Sequence, residues 1–138
     1  MRLLIKYGAD PYAENQYGLT LMHVAAQGDA SASLYFLKQL GLDINRKDLR
    51  NSTPLHWACY SDSETSIQYL LAWGPLLDEQ DFDGNTPLHL VVKNIDQFRS
   101  TRAIRYLLVK GASTLLRDKK GNTVFDLLGE VRERELAQ

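Results

Sequence analysis

One period governs this chain. Thr20, Thr53 and Thr86 stand 33 residues apart, and Thr123 follows after 37. His23, His56 and His89 take the same 33-residue step. Gly8, Gly41, Gly74 and Gly111 keep both offsets, as do Leu4, Leu37, Leu70 and Leu107, and the column Met1, Leu34, Ile67 and Ile104. Columns that share one period and one insertion mark stacked units, each unable to bury its apolar face alone.

Each column has a physical task. In Thr53-Pro54-Leu55-His56 and Thr86-Pro87-Leu88-His89 the threonine caps a helix start. Proline takes the first helical position, where a missing N–H costs nothing. The helix continues through Trp57-Ala58-Cys59-Tyr60 or Leu90-Val91-Val92-Lys93. Small residues such as Ala25, Ala26, Ala58 and Cys59 allow the next unit to approach closely. A second helix is predicted over 34–40, 67–73 and 104–110, from apolar residues at i, i+3 and i+4. Its buried face is read as Leu34 and Leu37, then Ile67, Leu70 and Leu71, then Ile104, Leu107 and Leu108. Glycine just past each end suits the left-handed residue that closes a helix. Asn15-Gln16-Tyr17-Gly18, Asp48-Leu49-Arg50-Asn51, Asp81-Phe82-Asp83-Gly84 and Asp118-Lys119-Lys120-Gly121 read as tight turns, opened by Asp or Asn and closed by Gly or Asn at positive φ.

Turn, helix, turn, helix at this period, with Thr-Pro-Leu-His at the first helix, resembles the ankyrin repeat. The implied fold is an all-α solenoid of stacked helix-turn-helix units joined by β-turns or hairpins. One domain over 1–138 is expected: a partial repeat at 1–14, repeats at 15–47, 48–80 and 81–117, and a partial capping repeat at 118–138. Met1 to Tyr7 reads as the second helix of a unit lacking its first half, which suggests a piece of something longer. Leu21 stands where proline is expected, and in the last unit Val124 and Asp126 replace the proline and the histidine.

Composition narrows the function. The chain's 138 residues, 44% of them hydrophobic, suffice for one globular unit with a core. Sixteen basic and seventeen acidic side chains form no block of either sign, which argues against a nucleic-acid partner. No apolar run approaches the roughly 20 residues of a membrane helix, and the N-terminus lacks a signal-peptide core, so no membrane contact by this segment is expected. The single cysteine, Cys59, fits a reducing, cytoplasmic setting.

Residues that invite chemistry fall on repeat columns. One histidine per unit puts neighbours roughly 8–10 Å apart, too far to share zinc at bonds of about 2.0–2.1 Å. Each is expected instead to hydrogen-bond the adjoining turn. Cys59 shares the column of Ala26 and Val92 and reads as a buried thiol. No phosphate-cradling glycine motif occurs, and Lys119-Lys120 reads as a solvated turn. Neither a catalytic residue, a metal, a cofactor nor a small-molecule substrate is expected.

Function must lie where the units differ. On the first helix, Val24 and Gln27, Trp57 and Tyr60, and Leu90 and Lys93 are each three apart and share one face. The ankyrin resemblance makes that face a concave groove, where Trp57 and Tyr60 offer stiff, amphipathic surface; Trp57 covering the next repeat is the alternative. Leu49, Arg50, Phe82 and Asp83 occupy turn tips, together with Gln16, Tyr17, Lys119 and Lys120. The insertion within Lys93 to Thr101 reads as a variable loop. The expected partner is another protein, received as an extended peptide segment around Trp57, with Gln27, Tyr60 and Lys93 about it.

Asn51-Ser52-Thr53-Pro54-Leu55-His56-Trp57-Ala58, with Met1 to Asp10 and Leu107 to Ser113, is similar to the N-terminal repeats of ankyrin-bearing DHHC-type protein S-acyltransferases (palmitoyltransferases). That resemblance implies a substrate-recruiting role, with Trp57 gripping an extended segment and a polar position near Gln27. The Asp-His-His-Cys motif, its zinc-binding cysteines and membrane helices are absent from this sequence. Two readings remain open: a scaffold or inhibitor acting by binding alone, and the non-catalytic arm of such an acyltransferase.

Overall fold

The computed structural model describes residues 10–98 and 100–137. The expected helix at Met1 to Tyr7, with Leu4 and Gly8, lies outside the described residues. Eight helices follow in the described part: α1 (Leu21–Gln27), α2 (Ser31–Gln39), α3 (Pro54–Tyr60), α4 (Glu64–Ala72), α5 (Pro87–Lys93), α6 (Ile95–Phe98), α7 (Arg102–Val109) and α8 (Val124–Ala137). The first helices of the units, α1, α3, α5 and α8, pack on one another in order. The second helices, α2, α4 and α7, form a parallel outer row. The all-α repeat solenoid read from the sequence is the observed fold.

Threonine and histidine together start three of the inner helices, α1, α3 and α5, and Thr123 with Asp126 does so at α8. Thr53 Oγ1 accepts the His56 N–H at 3.3 Å, and Thr86 Oγ1 accepts the His89 N–H at 3.2 Å. In return the imidazole Nδ1 accepts the threonine backbone N–H, at 3.2 and 3.3 Å respectively. At Thr20, where leucine replaces proline, the same ring-to-backbone bond forms at 3.1 Å. With Nδ1 accepting, the proton sits on Nε2, which donates to a carbonyl of the following unit: His23 to Ser52, His56 to Asn85 and His89 to Asn122, at 2.9–3.0 Å. The expected bond from each histidine to the adjoining turn is therefore a bond between repeats.

The outer helices start earlier than apolar spacing indicates, at Ser31, Glu64 and Arg102. Asp29 and Asp62 adopt positive φ, 53° and 51°, turning the chain so sharply that helix resumes two residues later. The first turns that follow hold only polar residues and alanine and leave no signature of large apolar side chains. At the far ends, Gly41 and Gly111 have φ of 89° and 97°. There the Leu42 and Ala112 N–H groups reach back to the Leu37 and Leu107 carbonyls at 3.2 and 3.0 Å. Pro75 occupies the matching place after Gly74 and has no N–H to give.

Leu34, Leu37, Ile67, Leu70 and Leu107 are fully buried. Leu108 is not: it is 44% exposed, whereas its counterpart Leu71 is 4% exposed. The helix that carries Leu71, α4, packs against α7 of the next unit, and among the described residues no outer helix follows α7. The loop expected at the insertion is a helical turn, α6, and its Asp96 pairs with Arg134 of α8 at 2.8 Å.

The turns are built by side chain onto backbone. Asn15, Asp48, Asp81 and Asp118 each use Oδ1 to accept two N–H groups, two and four residues ahead, at 2.8–3.0 Å. Consecutive tips are joined by one backbone bond each: the Leu49 N–H to Tyr17, the Phe82 N–H to Arg50, and the Lys119 N–H to Asp83. Single bonds do not make a ladder, and among the described residues there is no strand, so the connections are turns rather than hairpins. Gly84 combines a φ of 77° with tight packing, since a Cβ there would lie 2.7 Å from the Lys119 nitrogen.

Candidate functional site

The inner helices and their turns enclose a cleft of about 450 Å³ between α3 and α5. Trp57, Tyr60, Leu90 and Lys93 reach it from the helices, Arg50 and Asp83 from the turn tips. Six residues singled out from the sequence as binding candidates thus converge or border on one surface. Gln27 does not: it is exposed on α1, outside this cleft, and its carbonyl accepts the Ser63 hydroxyl at 2.7 Å. Leu49 and Phe82 project from their tips, 65% and 53% exposed.

Trp57 is half-buried and fixed. Its Nε1–H donates to Asp48 Oδ2 at 2.9 Å, and its ring meets Tyr60 edge-on, with centroids 6.1 Å apart at 76°. An aromatic surface held in place loses little freedom on binding. Asp48 is the residue that sequence reasoning missed; its role in opening the turn hid its second oxygen.

Lys93 is engaged within the fold. Its Nζ donates to Asn85 Oδ1 at 2.6 Å and pairs with Asp118 Oδ2 at 3.0 Å, tying α5 to the next turn. Burial alone would raise the Asp118 carboxyl, but bonds from the Asn122 and Lys120 N–H groups and from Lys93 bring it below the ordinary carboxylate range. Arg50 and Asp83 form a long, exposed ion pair at 3.4 Å across adjacent tips.

The groups most able to do chemistry are turned inward. Burial pushes the Cys59 thiol well above its ordinary range, with Asp62 adding to the effect. Burial likewise lowers His23 and His56, against opposing bonds to the Ser52 and Asn85 carbonyls. Among the described residues no group of three or more His, Cys, Asp or Glu could hold a metal ion. No described helix is long and apolar enough to cross a membrane.

Family models agree with this architecture. A model of ankyrin repeats in three copies matches residues 1–81, and a model of ankyrin repeats in many copies matches residues 55–108. No curated protein matches the chain. Stacked helix pairs begun by threonine and histidine, together with these matches, establish that the chain belongs to the ankyrin-repeat family, whose repeats generally serve as protein–protein interaction modules.

Proposed function

We propose that this chain holds a partner protein without catalysing a reaction, receiving an extended segment in the cleft between α3 and α5. The observation that carries the reading is the Trp57 indole, locked to Asp48 at the mouth of a cleft and flanked by Tyr60 and Leu90. An immobilised ring offers the segment an apolar face, and the exposed tips at Leu49, Arg50, Phe82 and Asp83 extend the contact. Gln27 and Val24 continue the inner face on α1. A single domain over 1–138, divided into repeats at 15–47, 48–80 and 81–117, is the unit that does this. Its buried, unreactive Cys59 suits a reducing, cytoplasmic setting.

The test compares two photo-crosslinking positions, Tyr60 in the cleft and Gln68 on the outer helix α4, in a lysate of the source cells. Adducts form at Tyr60 and not at Gln68, and Trp57→Ala removes them while circular dichroism stays unchanged. Truncation of such an anchor costs about 2 kcal/mol, a loss of roughly thirtyfold in affinity. Adducts only at Gln68, or adducts at Tyr60 that survive Trp57→Ala, refute the reading.

A narrower version makes the cleft a substrate-recruiting site of a DHHC-type protein S-acyltransferase. It rests on the sequence resemblance of the segment from Asn51 to Ala58, with Met1 to Asp10 and Leu107 to Ser113. Recovery of one such enzyme's transmembrane and cysteine-rich regions in the same reading frame would support it; a frame without them would not.

A further inference from the structure

The turn-opening aspartates are not equally served. Asp48, Asp81 and Asp118 all commit Oδ1 to the backbone of their own turn. Their second oxygens differ. Asp48 Oδ2 accepts the Trp57 indole N–H at 2.9 Å, and Asp118 Oδ2 pairs with the Lys93 ammonium at 3.0 Å. One donor comes from the helix of the same unit, the other from the helix of the unit before.

At Asp81 the repeat supplies neither. The residue in the Trp57 column of its own unit is Leu90, and the residue in the Lys93 column of the preceding unit is Tyr60. Leucine has no donor, and among the described residues no hydrogen bond or ion pair reaches Asp81 Oδ2. Asp81, Tyr60, Leu90 and Trp57 all line the same cleft. The other charges there cancel in pairs, Arg50 with Asp83 and Lys93 with Asp118, which leaves the half-buried Asp81 carboxylate unneutralised.

Such an oxygen, partly withdrawn from water, is best satisfied by a charged donor. Aromatic rings beside it attract the same sign of charge, and apolar walls suit a long aliphatic stem. We propose that the cleft takes a lysine or arginine side chain of the partner segment, its cationic head on Asp81 Oδ2 and its stem against Tyr60 and Leu90. The inference rests on the reading of this cleft as the protein-binding groove. With one oxygen free, a bidentate guanidinium fork gains little over an ammonium, so lysine and arginine bind alike.

The test presents the whole chain with immobilised nine-residue peptides whose centre is lysine, arginine, norleucine or glutamate and whose flanks are randomised. Lysine- and arginine-centred peptides bind about tenfold more tightly than norleucine-centred ones, as expected for one bond to a charged group. Added salt narrows the difference. Asp81→Asn keeps the turn's acceptor and removes the preference. Leu90→Trp removes it too, by giving Asp81 the indole donor that Asp48 already has, and decides the matter if Asp81→Asn fails to fold. Equal binding of lysine, arginine and norleucine, or a preference that survives both substitutions, overturns the inference, and the groove stands if Trp57→Ala still weakens every peptide. Binding indifferent to Trp57→Ala, or no binding at all, overturns the groove reading and the inference with it.

Discussion

Trp57 and Asp48 form one unit: the indole N–H donates to the carboxylate that also accepts the Arg50 and Ser52 N–H groups, so the turn and the aromatic face of the cleft are set by the same side chain. Removing that carboxylate should therefore damage fold and surface together. Asp48→Ala is expected to cost about 2–4 kcal/mol in denaturant titration, because several donors lose a charged acceptor at once. Asp48→Asn should cost less, keeping the turn while facing the indole N–H with a donor or a weaker acceptor, and should alter Trp57 fluorescence in the folded state. Asp48→Ala with unchanged stability would show that the turn holds without it.

Stability should fall as the pH drops below about 6.5, the ordinary histidine value. In the folded chain, burial lowers His23 and His56, and Nδ1 already accepts a backbone N–H, so neither ring readily takes a proton. The unfolded chain takes up protons as soon as the pH passes below 6.5, binds more of them than the native state, and is favoured. The loss continues downward until the lowered folded values are reached. Melting temperatures at constant ionic strength measure it, and His56→Gln should start lower but decline less between pH 7 and pH 5.

Leu70→Ala should cost about 2–5 kcal/mol, since the side chain is fully buried between repeats. Leu108→Ala, one repeat on and 44% exposed, should cost no more than about 0.5 kcal/mol. Urea midpoints of the two variants decide whether the exposed face of α7 contributes to stability as the buried face of α4 does.

Gly84→Ala should destabilise more than Gly121→Ala. Both residues have positive φ, 77° and 84°, a strain of roughly 1–2 kcal/mol for alanine. Only at Gly84 would the new Cβ also meet backbone, 2.7 Å from the Lys119 nitrogen, whereas nothing lies within 4 Å at Gly121. Equal midpoints in chemical denaturation would mean that the tips of adjacent repeats yield freely.

These contrasts trace what the sequence made legible. Thr53-Pro54-Leu55-His56 and its copies announce inner helices, because capping and a proline's missing N–H act within four residues. Gly41 and Gly111 announce helix ends for the same local reason. The outer-helix starts at Ser31 and Glu64 are hidden, since positive φ at Asp29 and Asp62 resumes the helix before any large apolar residue appears. Leu108 was misjudged because column identity with Leu71 says nothing of what packs above it. In the site, Trp57 and Tyr60 stood out as variable aromatics on one face. The tether of Trp57 to Asp48 and the engagement of Lys93 by Asp118 are distances between elements, which spacing along a chain does not encode.

The three imidazoles that reach forward, His23 to Ser52, His56 to Asn85 and His89 to Asn122, also fix how the molecule would bear force. Each ring is fastened behind to the start of its own helix and ahead to the next turn, like links on one cable. A pull along the stacking direction would load these rings in series, and a link that parts would free a helix start on one side and a turn on the other. Tension is thereby converted into local fraying at one junction.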